Sequence, residues 1–185
     1  MAYLVYRYRA DLGMGGPSSS QESSNAEQTN PGIRPAQIVW QAADRTSDGF
    51  RVEMPAGASE TQIPAYTGQG VVEQAEKIEA SLDSETTYAV AWADNPPMER
   101  VAGEDIEKTL DLARNGALGR TQTTLLSESW RDHETYSSLD WSARNAGGGI
   151  LNARLILAGT RLYMLIAAFP SAGARRDMDV NHFFD

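Results

Sequence analysis

An antiparallel sheet packed by helices, in the α+β class, is the fold this sequence predicts, and three stretches carry the prediction. In residues 138–169, Leu139, Trp141 and Ala143 interleave with Asp140, Ser142 and Arg144. Gly147-Gly148-Gly149 breaks that pattern, and Leu151, Ala153, Leu155 and Leu157 then share one face of a second strand. Gly159-Thr160 follows with glycine first, the order a type II′ hairpin turn prefers. The run 162–169 is apolar on nearly both faces, as expected of a strand covered on both sides. In residues 86–93, Tyr88, Val90 and Trp92 take one face while Ala89, Ala91 and Ala93 take the other. Side chains that small let a helix approach closely. Residues 104–118 supply the main helix: Ile106, Leu110, Ala113 and Ala117 form one stripe. Acids open that helix and Arg114 lies near its expected end, matching the macrodipole.

The remaining elements follow in chain order. Residues 1–6 are apolar and aromatic, then Arg7, Tyr8 and Arg9 follow, which resembles the exit end of a membrane helix at the bilayer interface. Residues 1–11 are therefore read as a juxtamembrane remnant, with an ordinary short strand as the alternative. The segment is too short for a signal peptide, and no apolar run spans a bilayer. Residues 12–35, rich in Gly, Ser, Gln, Asn and Pro, are read as a flexible linker. The single folded domain is expected over 36–185. Ile38-Val39-Trp40 predicts a short strand, and Asp48-Gly49 turns into a strand with Phe50, Val52 and Met54 on one face. Residues 71–82 fit a helix slightly better than a strand: Val71, Ala75, Ile78 and Leu82 fall at helical spacing among helix formers. Asn95-Pro96-Pro97 stops the preceding strand; Gly116 and Gly119 mark the main helix's fraying and end. Residues 121–130 predict another strand, and 177–184 a terminal helix with Val180, Phe183 and Phe184 apolar.

Several short strings resemble a family of bacterial, mostly uncharacterised cell-envelope domains, similar in outline to the PsbP-like fold. They are Asp48-Gly49-Phe50-Arg51-Val52-Glu53-Met54-Pro55, Tyr88-Ala89-Val90, and the helix Leu110-Asp111-Leu112-Ala113-Arg114-Asn115-Gly116-Ala117. Gly159-Thr160-Arg161-Leu162-Tyr163 and His182-Phe183-Phe184-Asp185 complete the set. The resemblance covers roughly residues 36–185. It implies an antiparallel sheet with one main and one C-terminal helix, and it implies that 71–82 is a strand. It carries over no catalytic residue. The chain departs from the family at Asp132-His133-Glu134-Thr135, where a glycine-rich turn is usual, and it stops where the family continues into a short strand. A slightly clipped domain is the expectation there.

Composition narrows the function classes. The net charge of −9 and pI of about 4.7 repel phosphate backbones and anionic headgroups, so no nucleic-acid partner is expected. The absence of cysteine excludes disulfides, thiolate nucleophiles and cysteine-ligated metals. His133 sits in Arg131-Asp132-His133-Glu134, which could place a general base beside a carboxylate. A loop histidine among acids is more often a solvated surface group, and no nucleophile-elbow pattern surrounds Ser127, Ser129, Ser137 or Ser138. His133 and His182 are far apart in sequence, Asp177, Asp179 and Asp185 lack a calcium-loop pattern, and no metal or cofactor is expected. Trp92, Trp130, Trp141 and Tyr163 are the ligand-binding candidates, as aromatic side chains that could line an apolar cleft, although tryptophans on strands are usually core. The resulting expectation is a non-catalytic binding module of the bacterial envelope, membrane-tethered or periplasmic, with a cytoplasmic location as the alternative. Its partner would be a protein or a small apolar, lipid-like ligand. A hydrolase using His133 is the less favoured alternative.

Overall fold

A computed structural model describes residues 2–4, 37–67, 72–83, 86–94 and 103–185. Its architecture is one antiparallel sheet with helices on both faces, the α+β fold expected. The strands are β1 (Ala2–Leu4), β2 (Trp40–Arg45), β3 (Phe50–Pro55), β4 (Ser59–Thr67), β5 (Val72–Ser81), β6 (Thr87–Asp94), β7 (Thr124–His133), β8 (Tyr136–Arg144), β9 (Ile150–Ala158) and β10 (Arg161–Phe169). The helices are α1 (Gly103–Thr121) and α2 (Asp177–Phe184). Eight strands form the main sheet in the order β1-β4-β5-β6-β10-β9-β8-β7, while β2 and β3 form a separate hairpin. The chain meanders from β4 to β6. It then crosses through α1 to the far edge and meanders back through β7, β8 and β9 to seat β10 beside β6.

Alternation along the central strands separates two cores. Ala89, Ala91 and Ala93 of β6 share a layer with Leu162, Met164 and Ile166 of β10, and Leu110, Ala113 and Ala117 of α1 close it. Tyr88, Val90 and Trp92 lie on the opposite face with Ala167 and Phe169, under Val180 and Phe183 of α2 and Met54 of β3. The alanine face therefore receives the long helix, as its small side chains predict. Strand β10 is covered on both sides, which explains its nearly unbroken apolar run. Its hairpin with β9 closes Ala158 against Arg161 around Gly159, whose φ of 63° fits the glycine-first turn.

Five local expectations need correction. Residues 72–81 form β5, paired with β4 and β6, so the helical periodicity misleads and the strand implied by the family resemblance is right. Ala75 joins the α1 core while Ile78 and Ala80 join the other, so the buried residues of the segment divide between two faces as a strand requires, among polar neighbours such as Glu76 and Lys77. Strand β4 has no counterpart in the sequence reading, because Pro64 and the polar run Glu60-Thr61-Gln62 disguise it. Among the described residues β1 pairs with Ala65–Thr67 and not with Pro64, so the ladder with β1 does not ask Pro64 for the amide hydrogen it lacks. Helix α1 runs through Gly116 and Gly119 to Thr121. It ends where Gln122 turns left-handed at φ 51° and the Thr123 amide donates to the Leu118 carbonyl at 3.1 Å, a Schellman closure. Arg114 consequently lies inside the helix, paired with Asp111 at 2.9 Å and with Glu128 of β7. Strand β2 begins at Trp40 rather than ending there. Finally, Arg131, Asp132 and His133 belong to β7, and only Glu134-Thr135 forms the turn into β8.

Ala2–Leu4, within the stretch read as juxtamembrane, pairs antiparallel with β4. The whole of the predicted linker, residues 5–11 of the stretch before it and the Asn95-Pro96-Pro97 stop lie outside the described residues. Among the described residues no helix is long and apolar enough to cross a membrane.

Candidate functional site

The face of the sheet opposite α1 is only partly covered. The β2–β3 hairpin lies over β6 and β10, seated by Phe50, whose ring meets Trp92 at 4.9 Å and Tyr163 at 5.5 Å between centroids. At the hairpin's other end Trp40 packs edge-on to Tyr88 at 5.4 Å and tilts against His182 of α2 at 4.6 Å. Tyr88 in turn contacts Phe183 at 5.2 Å, joining hairpin, sheet and helix in one aromatic cluster. Burial pushes the Tyr88 hydroxyl up to about 12, so it stays a neutral phenol at any physiological pH.

Two polar latches fix the walls. The hairpin turn Thr46–Asp48 presents the Asp48 carbonyl to the sheet, where it accepts from Arg161 Nη1 at 2.8 Å and from Tyr163 Oη at 2.7 Å. Arg161 also grips Asp94 bidentately at 2.8 and 3.1 Å. That grip holds the Asp94 carboxyl below its ordinary range and pushes the Arg161 guanidinium up. Because the folded-state pKa of Asp94 is depressed, this latch contributes above the ordinary value of 3.8 and fades as pH falls through the depressed one. Gly49 completes the turn at φ 82°, and a Cβ there would stand 3.1 Å from Tyr163 Oη. Gly49→Ala therefore meets both backbone strain and a close contact at the latch. It is expected to destabilise by about 1–2 kcal/mol, read as a thermal midpoint lower by roughly 2–8 °C.

The second latch holds α2. Arg154 of β9 is buried, and it clamps Asp140 of β8 at 2.6 and 2.9 Å. Its Nη1 donates to the Phe184 carbonyl, and its guanidinium lies over the Phe184 ring at 5.4 Å. The bonds to Asp140 raise its pKa further, so the cation is permanent. Near the start of the groove wall, His182 Nε2 meets Glu53 Oε2 of β3 at 2.7 Å.

Between these walls lies an open groove of about 1080 Å³. Ile156, Tyr163 and Leu165 form its floor, the hairpin residues Asp48 to Glu53 one wall, and His182 to Asp185 another. His133, Glu134 and Tyr136 of the β7–β8 turn close a third side.

The four aromatic candidates do not converge on it. Tyr163 lines the groove. Trp92 lies beneath Phe50 and is 5% exposed. Trp141 is on the opposite face in the α1 core, where it borders only a void of about 10 Å³. Trp130 is 41% exposed on β7, paired with Leu139 and so turned to the α1 side. The expected tryptophan-lined cleft is thus replaced by a groove with a mixed floor and a charged rim. The topology does unite the two histidines, which stand 49 residues apart, on its rim. Sequence reasoning missed Glu53, Arg161 and His182 as groove residues. The Asp48-Gly49 turn signalled the hairpin that carries Glu53, but nothing in the sequence signals which face that hairpin covers.

An antiparallel sheet with a long helix on one face, and a hairpin and terminal helix flanking a groove on the other, defines an α+β module of PsbP-like fold. The solution structure of cyanobacterial PsbP (CyanoP) from Synechocystis sp. PCC 6803 is similar at a TM-score of 0.50 and 15% identity, covering 84% of this chain and 94% of that one. A crystal structure of a protein of unknown function from Pseudomonas aeruginosa aligns at a TM-score of 0.37 and 9% identity, covering 77% of this chain and 90% of that one. No protein-family model and no curated protein matches the sequence.

Proposed function

We propose that this chain is a non-catalytic binding module of a bacterial cell envelope, and that its groove takes a protein partner. The observation that carries the reading is the groove itself. It is open, exceeds the usual volume of small-molecule sites, and combines a mixed floor carrying Ile156 and Leu165 with a charged rim, the anatomy of an interaction surface. The envelope placement is supported by the family resemblance over residues 36–185.

Two competing readings find less support. A lipid-like ligand wants an enclosed apolar cavity, whereas two further voids among the described residues hold about 10 and 30 Å³, roughly one or two waters each. A hydrolase needs a hydroxyl within reach of a histidine. Of the hydroxyls that line the groove, those of Thr46 and Ser47 donate instead to Asp44 and Asp48, at 2.5 and 3.4 Å, and that of Tyr163 donates to the Asp48 carbonyl at 2.7 Å.

The test is an amide-shift titration of the isotope-labelled full chain with ten-residue peptides of differing charge and hydrophobicity. Saturable shifts in 46–53, 133–136 and 182–185 are expected. Shifts induced by palmitate around Trp141 would favour the carrier instead. Ester turnover that disappears in His133→Ala would favour the hydrolase.

A further inference from the structure

The geometry points to a cationic, amphipathic polypeptide segment, lysine or arginine interspersed with apolar side chains, as the occupant of the groove; this rests on the reading of the groove as a partner site. Five acidic residues line it, Asp48, Glu53, Asp94, Glu134 and Asp185, against two arginines, Arg51 and Arg161. One of the arginines is already engaged. Arg161 is committed to Asp94 and to the Asp48 carbonyl. Arg51 stands opposite Asp44 across the hairpin, and its charge helps to lower the Asp44 pKa. Glu134 makes no ion pair among the described residues, and Glu53 meets only His182 there. The rim therefore carries an excess of negative charge around Ile156, Leu165 and Tyr163, although Asp94 and Asp48 share Arg161, and the complement of that surface is positive charge on an apolar backbone segment.

Glu134 sharpens the argument. It occupies the first central position of the two-residue β7–β8 turn at φ 54°, a left-handed conformation that glycine adopts without strain. The turn alone would be better served by glycine. The strained side chain instead places a carboxylate at the groove rim, where backbone strain kept in place of an easier residue accompanies function.

The substitution Glu134→Gly therefore separates folding from recognition. The probes are three fluorescent ten-residue peptides: lysine with leucine, glutamate with leucine, and lysine with serine. The lysine–leucine peptide should bind the full chain saturably and more weakly as salt rises, with the other two at least about tenfold weaker. Glu134→Gly should weaken that binding about fivefold while raising the thermal midpoint by about 2 °C. Glu107→Gln on α1, across the sheet, should leave the affinity unchanged. Equal binding of the glutamate–leucine peptide in the groove would overturn the cationic occupant and leave the partner site standing. Equal weakening by Glu134→Gly and Glu107→Gln would reduce the effect to bulk charge and overturn it too. If none of the three peptides shifts groove amides, the partner site fails, and the occupant with it.

Discussion

Arg154→Ala is expected to lower stability by about 3 kcal/mol, the low end of what breaking a buried pair costs. Arg154 is 6% exposed and serves three groups at once: both carboxylate oxygens of Asp140, the Phe184 carbonyl and the Phe184 ring. Truncation leaves the Asp140 carboxylate partly buried, with the exposed Arg131 at 3.4 Å as its remaining cation. It also frees the last turn of α2. The loss should appear in two ways. Urea unfolding should shift to a lower midpoint, and amide exchange of residues 180–184 should accelerate more than that of β9. Uniform acceleration across the domain would show that Arg154 supports the sheet alone. No acceleration would show that the latch contributes nothing.

Leu110→Ala is the second large effect. Leu110 is fully buried at the centre of the α1 stripe, against a layer whose β6 side chains are all alanine. Neighbours that small and that fixed to a sheet cannot collapse into the space left behind, so a cavity persists. About 3 kcal/mol is expected, within the range for leucine truncation in cores. The reverse error, Ala91→Leu, should cost about 2 kcal/mol by pushing α1 off the sheet. Both are read from denaturant midpoints at unchanged slope. A neutral Ala91→Leu would mean that the helix floats over this face rather than packing on it.

The sequence revealed these layers where side-chain size carries the message. The alternation of Tyr88, Val90 and Trp92 with three alanines specified both faces of β6 and which of them would receive a helix. Gly159-Thr160 specified the β9–β10 hairpin, and Val180 and Phe183 specified the buried side of α2. It misled where local preference and tertiary demand diverge. Glu73, Gln74, Glu76 and Lys77 favour helix in isolation, yet pairing with β4 and β6 decides for a strand. The groove was the least legible feature. Glu53, His133, Arg161 and His182 come from four separate elements, and no local period connects them. The aromatic count drew attention to tryptophans, two of which are buried in opposite cores.

The walls of the groove come from hairpin residues 46–53 and from residues 182–185, so the described domain must be folded nearly from one end to the other before the site exists. An occupant of such a site binds the native state and nothing short of it. At a concentration one hundred times its Kd it would add about 2.7 kcal/mol to the stability of the whole domain. The groove thus reports on completion. A partner that reads it, as proposed, would distinguish a finished molecule from one whose sheet has formed but whose hairpin and terminal helix have not yet docked.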